Sequence, residues 1–395
     1  MSRVKRAPLR RWLFAAGSVL VVAAAVLAYL WTRPAALPKV SNYVQLTQDG
    51  QRKQLVGTDG SRVYLRGETG GGYTLSQVSI SGGEPVRIPM PSGAMYPLSV
   101  SPDGSELLAM DVQSPTAETG PLWSIPILGG SPRRLGYIVG GYGAWSPDGQ
   151  RLVYINGSDL FLARSDGTES HKLISAAGRA SAPAWSPDGS DLRFTSQVDK
   201  TGAESLWEVS AQGTNLHALL TGWHDPPAEC CGKWTADGRY FVFFSQGQIW
   251  ALPETGGFLR KSSGTPVQLT SSPFGLSGPL PSKDGKKLFV GGRTYRGELV
   301  HYDTKVGRFS PFFSGISAEF VGFSKDGQWI AYVAYPEGAL WRSKADGSER
   351  LQLTYSPLRP VLPRWSPDGK EIVFYSFVSG KGGRIFVVSA EGGTP

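Results

Sequence analysis

Apolar and polar positions alternate along most of this chain in short runs, among them RLVYI (Arg151 to Ile155), DLRFTS (Asp191 to Ser196), WIAYV (Trp329 to Val333) and EIVFYS (Glu371 to Ser376). A period of two over four to eight residues, rich in β-branched and aromatic side chains and bounded by glycine and proline, predicts half-buried strands. The runs recur to the end of the chain. The pattern therefore predicts an all-β fold.

The runs are punctuated by one recurring phrase. AWSPDG occurs at Ala144 to Gly149 and at Ala184 to Gly189, RWSPDG at Arg364 to Gly369, and KWTADG at Lys233 to Gly238. Aligning on the Asp-Gly pair gives Asp59, Asp103, Asp148, Asp188, Asp237, Asp284, Asp326 and Asp368, spaced by 44, 45, 40, 49, 47, 42 and 42 residues. Proline presets φ for a type I turn, aspartate accepts nearby backbone N–H groups, and glycine takes the positive φ that follows, so each copy reads as a hairpin turn. Turn chemistry accounts for all eight aspartates without a catalytic or metal-binding role.

A second mark follows a third strand, at Leu122-Trp123, Leu206-Trp207, Ile249-Trp250 and Leu340-Trp341. Another glycine turn comes next, then a closing phrase such as VQLT (Val267 to Thr270) or LQLT (Leu351 to Thr354). The tryptophans read as groups packed between sheets. Four strands per ~40 to 50 residues is the content of a propeller blade. The expectation is a single eight-bladed β-propeller over residues 43–395, and 51 glycines suit its many turns. The chain stops at GGTP, while YVQLT (Tyr43 to Thr47) stands before any complete repeat. Ring closure predicts that residues 43–47 complete the last blade, because an open ring leaves strand edges unpaired. The competing reading is a fragment whose own closing phrase is lost.

The N-terminus departs from this pattern. Trp12 to Trp31 is a 20-residue run without a charge, preceded by Arg3, Lys5, Arg6, Arg10 and Arg11. That length crosses a bilayer as a helix, and the basic flank keeps residues 1–11 in the cytoplasm. A cleaved signal peptide with Ala23-Ala24-Ala25 as the processing site is the rival reading. Residues 1–11 are thus expected to be a basic tail, 12–31 a transmembrane helix and 32–42 a linker. The propeller is then exported from a bacterial inner membrane into the periplasm or beyond. Six of the 40 Lys and Arg precede residue 34 and no acid does, which leaves 34 basic against 32 acidic residues. That near-balance argues against a nucleic-acid partner, which needs a concentrated basic patch.

The WSPDG turn, the aromatic third strand, the DG or GG turn and the closing LT phrase resemble the TolB-like propeller repeats of bacterial envelope proteins over residues 40 to 395. The same blades resemble the propellers of prolyl oligopeptidase-type peptidases and the exported parts of membrane regulators. Such a resemblance implies either a protein-interaction or ligand-sensing module of the envelope, or an orphaned sensing or substrate-gating propeller whose catalytic or output domain lies elsewhere. Quinone-dependent dehydrogenases share an eight-bladed plan with neighbouring cysteines, but the repeats here do not look like theirs.

Motifs for chemistry are sparse. No Gly-x-Ser-x-Gly and no His-Glu-x-x-His occurs, and His171, His217, His224 and His301 fall in separate repeats. The expectation is a chain that performs no catalysis, with no cofactor and no metal. Binding should reside in loops on the face opposite the SPDG turns. Trp223, His224, Asp225 and Glu229 occupy the longest inter-blade connection, and Arg179 and Arg359 occupy equivalent ones, so these six form the candidate surface for an envelope protein or small ligand. Beside them, Cys230 and Cys231 read either as buried thiols or as a vicinal disulfide shaping the loop.

Overall fold

The computed structural model describes residues 38–70, 72–114, 116–254, 264–272, 275–293, 296–312, 315–378 and 382–395. The basic tail, the 12–31 segment and the first part of the linker lie outside these residues. Among the described residues no helix is long and apolar enough to cross a membrane. The chain divides into two compact units, one reaching to Gly292 and one from Arg293 to Pro395.

The first unit is all-β and propeller-like. Four-stranded antiparallel sheets begin at Lys53 (sheet 1), Met95 (sheet 2), Tyr142 (sheet 3), Arg179 (sheet 4) and Glu229 (sheet 5). Sheet 6 contributes two strands, Gly275–Pro281 and Leu288–Arg293. The first strands touch in sequence, sheet 1 on 2, 2 on 3, 3 on 4, 4 on 5 and 5 on 6, and that of sheet 6 returns to that of sheet 1. Lys287 Nζ donates to Ile80 O at 3.0 Å across this last junction, and Lys283 Nζ reaches Pro102 O in the first turn of sheet 2 at 2.7 Å. The cycle therefore closes at six. A single ring of eight would put sheet 8 beside sheet 1, and in this unit sheet 6 holds that place.

The second unit contains a hairpin, Val300–Asp303 with Arg308–Pro311, then sheet 7 (four strands from Ala318 to Gln352) and sheet 8 (three strands, Arg359–Trp365, Glu371–Val378 and Gly382–Ser389). Sheets 7 and 8 share an apolar cluster of Ala331, Val333, Leu340, Leu353, Ile372, Phe374 and Val388. The sixth repeat is thus divided between the units.

The repeated turn works as its residues dictate. In SPDG the serine hydroxyl donates to the aspartate, at 2.5 Å for Ser101 and Asp103 and 2.6 Å for Ser186 and Asp188. The same hydroxyl accepts the N–H of the residue that opens the next strand, Glu106 or Asp191, at 2.9 Å. Glycine then needs positive φ, 76° at Gly104 and 71° at Gly189. The hydrogen bonds from Ser101 and Ser105 hold the Asp103 carboxyl down at about 2. Such a carboxylate is a fixed acceptor.

Tryptophan joins neighbouring sheets. Trp185 Nε1 donates to Ala144 O at 3.1 Å, and in the second unit Trp365 Nε1 donates to Gly322 O at 3.1 Å. The closing phrase is equally regular: Thr270 Oγ1 and Thr354 Oγ1 each accept a third-strand N–H at 2.9 Å, from Ile249 and Leu340. Gln268 and Gln352 donate to the carbonyls of those same threonines. Gln45 makes the corresponding bond to Thr47 O at 2.8 Å, yet residues 43–47 form no strand. Leu46 packs against Val63, Val78, Leu280 and Phe289, where sheets 6 and 1 meet.

Candidate functional site

The candidate residues are divided between the units, Arg179 and the connection into sheet 5 in the first and Arg359 in the second. Near its start, sheet 4 carries Arg179, whose Nη1 donates to Glu118 Oε1 at 2.6 Å while Nε lies 3.8 Å from Asp199 Oδ1. The hydrogen bond to Glu118, followed by the charge of that carboxylate, raises the Arg179 pKa. The connection into sheet 5 behaves differently. Trp223 turns inward, 4.8 Å from the Trp250 ring and 5.6 Å from Phe243, and covers His224 at 3.9 Å.

His224 Nδ1 lies 3.0 Å from Glu229 Oε1 and 3.3 Å from Ser245 Oγ. Glu229 is 1% exposed and Ser245 is fully buried. Both oxygens lie against the same ring nitrogen, so a relay that needs the acid and the hydroxyl on opposite nitrogens is not assembled here. The trio fixes the loop. Asp225 remains exposed ahead of a cis peptide bond to Pro226. Cys230 and Cys231 are joined as a vicinal disulfide, with Cys231 at φ 61° and its N–H donating to Thr195 Oγ1 at 3.0 Å. Two residues on, Lys233 Nζ donates to Pro183 O at 3.2 Å, and burial pushes its pKa down to about 8. Trp223, His224 and Glu229 are therefore brought together as packing. Arg359 belongs to the second unit, where it opens sheet 8, is exposed, and donates its N–H to Ser376 Oγ at 2.9 Å.

The more open chemistry lies on sheets 1 and 2, apart from all six residues of the candidate surface. Arg66 places its guanidinium 3.8 Å from the centroid of the Tyr96 ring, and Tyr73 meets Tyr96 edge-on at 4.7 Å and 88°. Arg66 donates to Pro97 O at 2.7 Å and to Gln54 Oε1. A cavity of about 210 Å3 opens above it, lined by Arg52, Gln54, Arg66, Glu68, Tyr73 and Tyr96. Tyr142, exposed at the start of sheet 3, acts electrostatically on both Arg66 and Arg179. Alternation on Arg62–Thr69 would place Arg66 on one face of its strand, but nothing in the local pattern says that a tyrosine from the next repeat stands over it. Among the described residues no group of three or more His, Cys, Asp or Glu is placed to hold a metal ion.

No protein-family profile matches the chain. It is 26% identical over 207 residues to the uncharacterized peptidase YuxL of Bacillus subtilis, which covers 51% of this chain and 30% of that protein. It is 28% identical over 244 residues to tricorn protease homolog 1 of Streptomyces coelicolor, 58% of this chain and 22% of that protein. A third match, to the Tol-Pal system protein TolB of Alcanivorax borkumensis, is 37% identical over 60 residues and covers 14% of each chain. The chain thus spans less than a third of each of these relatives. The solved structure of a putative TolB from Agrobacterium tumefaciens aligns with a TM-score of 0.31 and 18% identity, over 67% of this chain and 82% of that one. The repeats are similar to those of TolB-like propellers. The expectation of a chain without catalysis is corrected by two of these relatives, whose names are those of a peptidase and a protease.

Proposed function

We propose that this chain is a TolB-like propeller of the bacterial envelope that recruits extended peptides for hydrolysis, anchored in the inner membrane by residues 12–31. The observation that carries this reading is the combined face of sheets 1 to 4. Arg66, Tyr73 and Tyr96 lie in one cluster and Arg179, Glu118 and Asp199 in the other, and Tyr142 acts electrostatically on both arginines. A peptide presents charges of both signs and polar backbone at intervals of ~3.3 Å per residue. Tyrosine and guanidinium groups on rigid strands meet those needs with little ordering cost. The peptidase and protease names among the relatives support a peptide as the ligand class.

The test is equilibrium dialysis of the full chain in detergent against a pool of synthetic tetrapeptides. Retention of tetrapeptides, reduced in Tyr73→Ala and in Arg179→Glu, is expected. Equal passage of all tetrapeptides across the membrane would refute the reading. A reporter active only outside the cytoplasm, fused after Pro395, should be active; activity of a cytoplasm-only reporter there would overturn the location.

A further inference from the structure

The cavity on sheets 1 and 2 has a feature that stability does not require. Arg66 has five N–H donors in a planar fork. Its partners are Pro97 O, Gln54 Oε1 and the side chain of Tyr96, and none of them is a carboxylate. Among the described residues no carboxylate stands within ion-pair distance of it. Elsewhere in the same unit a buried arginine is fully matched: Arg193 Nε donates to Glu208 at 2.7 Å, and its terminal nitrogens donate to Glu254 at 2.6 and 3.1 Å. Arg66 is half-buried, and partial desolvation of a guanidinium without a counter-charge is unfavourable, so an opposite charge delivered from solution gains more there than on the open surface.

We propose that the Arg66 cavity is a carboxylate-binding site, and that in a peptide ligand it takes the C-terminal carboxylate; this rests on the peptide reading above. Arg66 supplies the fork that matches the two oxygens of a carboxylate. Arg52, exposed at the rim, adds a second positive charge, and Gln54 and the Tyr73 hydroxyl add neutral polar groups. Glu68 is the one acid of the lining and is exposed, so the lining carries two cations against one anion. The volume admits about seven waters at ~30 Å3 each, which suits one terminal residue and its carboxylate and is too small for a folded partner.

The floor is held in place independently of any ligand. Tyr73 N donates to Gly93 O at 2.9 Å. At Gly72 a Cβ would lie 2.1 Å from that same carbonyl, with φ at 116°, so the hairpin tip lies directly on the 92–94 loop. This contact sets Tyr73 against Tyr96, and Tyr96 under Arg66. The guanidinium is thereby oriented before anything binds, which lowers the ordering cost of binding.

The test titrates the full chain in detergent with N-acetyl-Ala-Ala as the free acid, with the same dipeptide as its C-terminal amide, and with galacturonate. The acid should bind at least about tenfold more tightly than the amide, the range expected for a charge-assisted hydrogen-bonded pair. Arg66→Gln should abolish that preference while leaving the melting temperature within a few degrees. Equal affinity for acid and amide, or an undiminished preference in a folded Arg66→Gln variant, would overturn the site. If Arg66→Gln fails to fold, Arg52→Gln decides: a loss of about twofold or more in acid affinity supports the site, and no change overturns it. Binding of galacturonate but not of the dipeptide acid would uphold the carboxylate site and overturn the peptide reading. Binding of neither would overturn the site.

Discussion

The guanidinium of Arg193 lies 4.6 Å from the centroid of the Trp234 ring, so the buried arginine of sheet 4 is capped by the tryptophan that sheet 5 places before its turn. The same guanidinium binds Glu208 on its own sheet and Glu254 at the end of the third strand of sheet 5. The pair is therefore a joint between adjacent sheets. Arg193→Ala should cost about 3–5 kcal/mol, because it strands Glu254, whose side chain is 6% exposed. Chemical denaturation measures the loss. The double variant with Glu254→Gln should recover part of it, and an additive double loss would show that the two residues act separately.

Sheet-opening turns should respond to deletion of one oxygen. Ser186 is 1% exposed, donates to Asp188 and accepts from Asp191 N. Ser186→Ala leaves that N–H without its acceptor and should cost about 1–2 kcal/mol. A change within about 0.3 kcal/mol would mean that proline and glycine alone set the turn.

Lys233 gives the molecule an alkaline signature. Its ordinary pKa of 10.5 falls to about 8 in the fold because of burial. Between those values the unfolded chain keeps a proton that the folded chain has released, so stability rises with pH across roughly 8 to 10.5. The slope is on the order of 1 kcal/mol per pH unit, and it is present only within that window. Lys233→Met should remove the slope and raise stability at neutral pH. Denaturation at pH 7.5 and 9.5 would detect both, and parallel losses in the two proteins would contradict the assignment.

We propose that Tyr43–Thr47 seals the six-membered cycle by serving as an outer element of sheet 6. Leu46 packs between sheets 6 and 1, and the Gln45 bond to Thr47 O copies those of the true closing strands. Leu46→Ala should cost about 1–2 kcal/mol, since the side chain is only partly buried. Deleting residues 43–47 should cost more and promote aggregation through the exposed edge. An unchanged melting temperature on deletion would make these residues linker.

Much of this architecture is legible in the sequence because it is local. The SPDG turns act within about five residues, the closing LT phrases stay within their own repeat, and the spacing of these phrases counts the repeats. The size of the cycle is not local. Nothing within the sixth repeat says that Leu280 and Phe289 will meet Leu46 and Val63, because that contact joins residues more than 200 apart in sequence. The site shows the same division. Trp223, His224 and Glu229 stood out by residue type, yet packing turned them inward, and type alone does not report direction. Arg66 lies in an ordinary alternating strand, and its importance comes from Tyr96, 30 residues later and on another sheet.

The central claim, that peptides are received on sheets 1 and 2 through a terminal carboxylate, is tested most directly by hydrogen–deuterium exchange of the full chain with and without N-acetyl-Ala-Ala acid. Slower exchange is expected in the backbone around Gln54, in the hairpin from Arg66 to Tyr73 and in the 93–97 segment, with little change from the amide. Protection confined to other sheets, or the same protection from acid and amide, would contradict it.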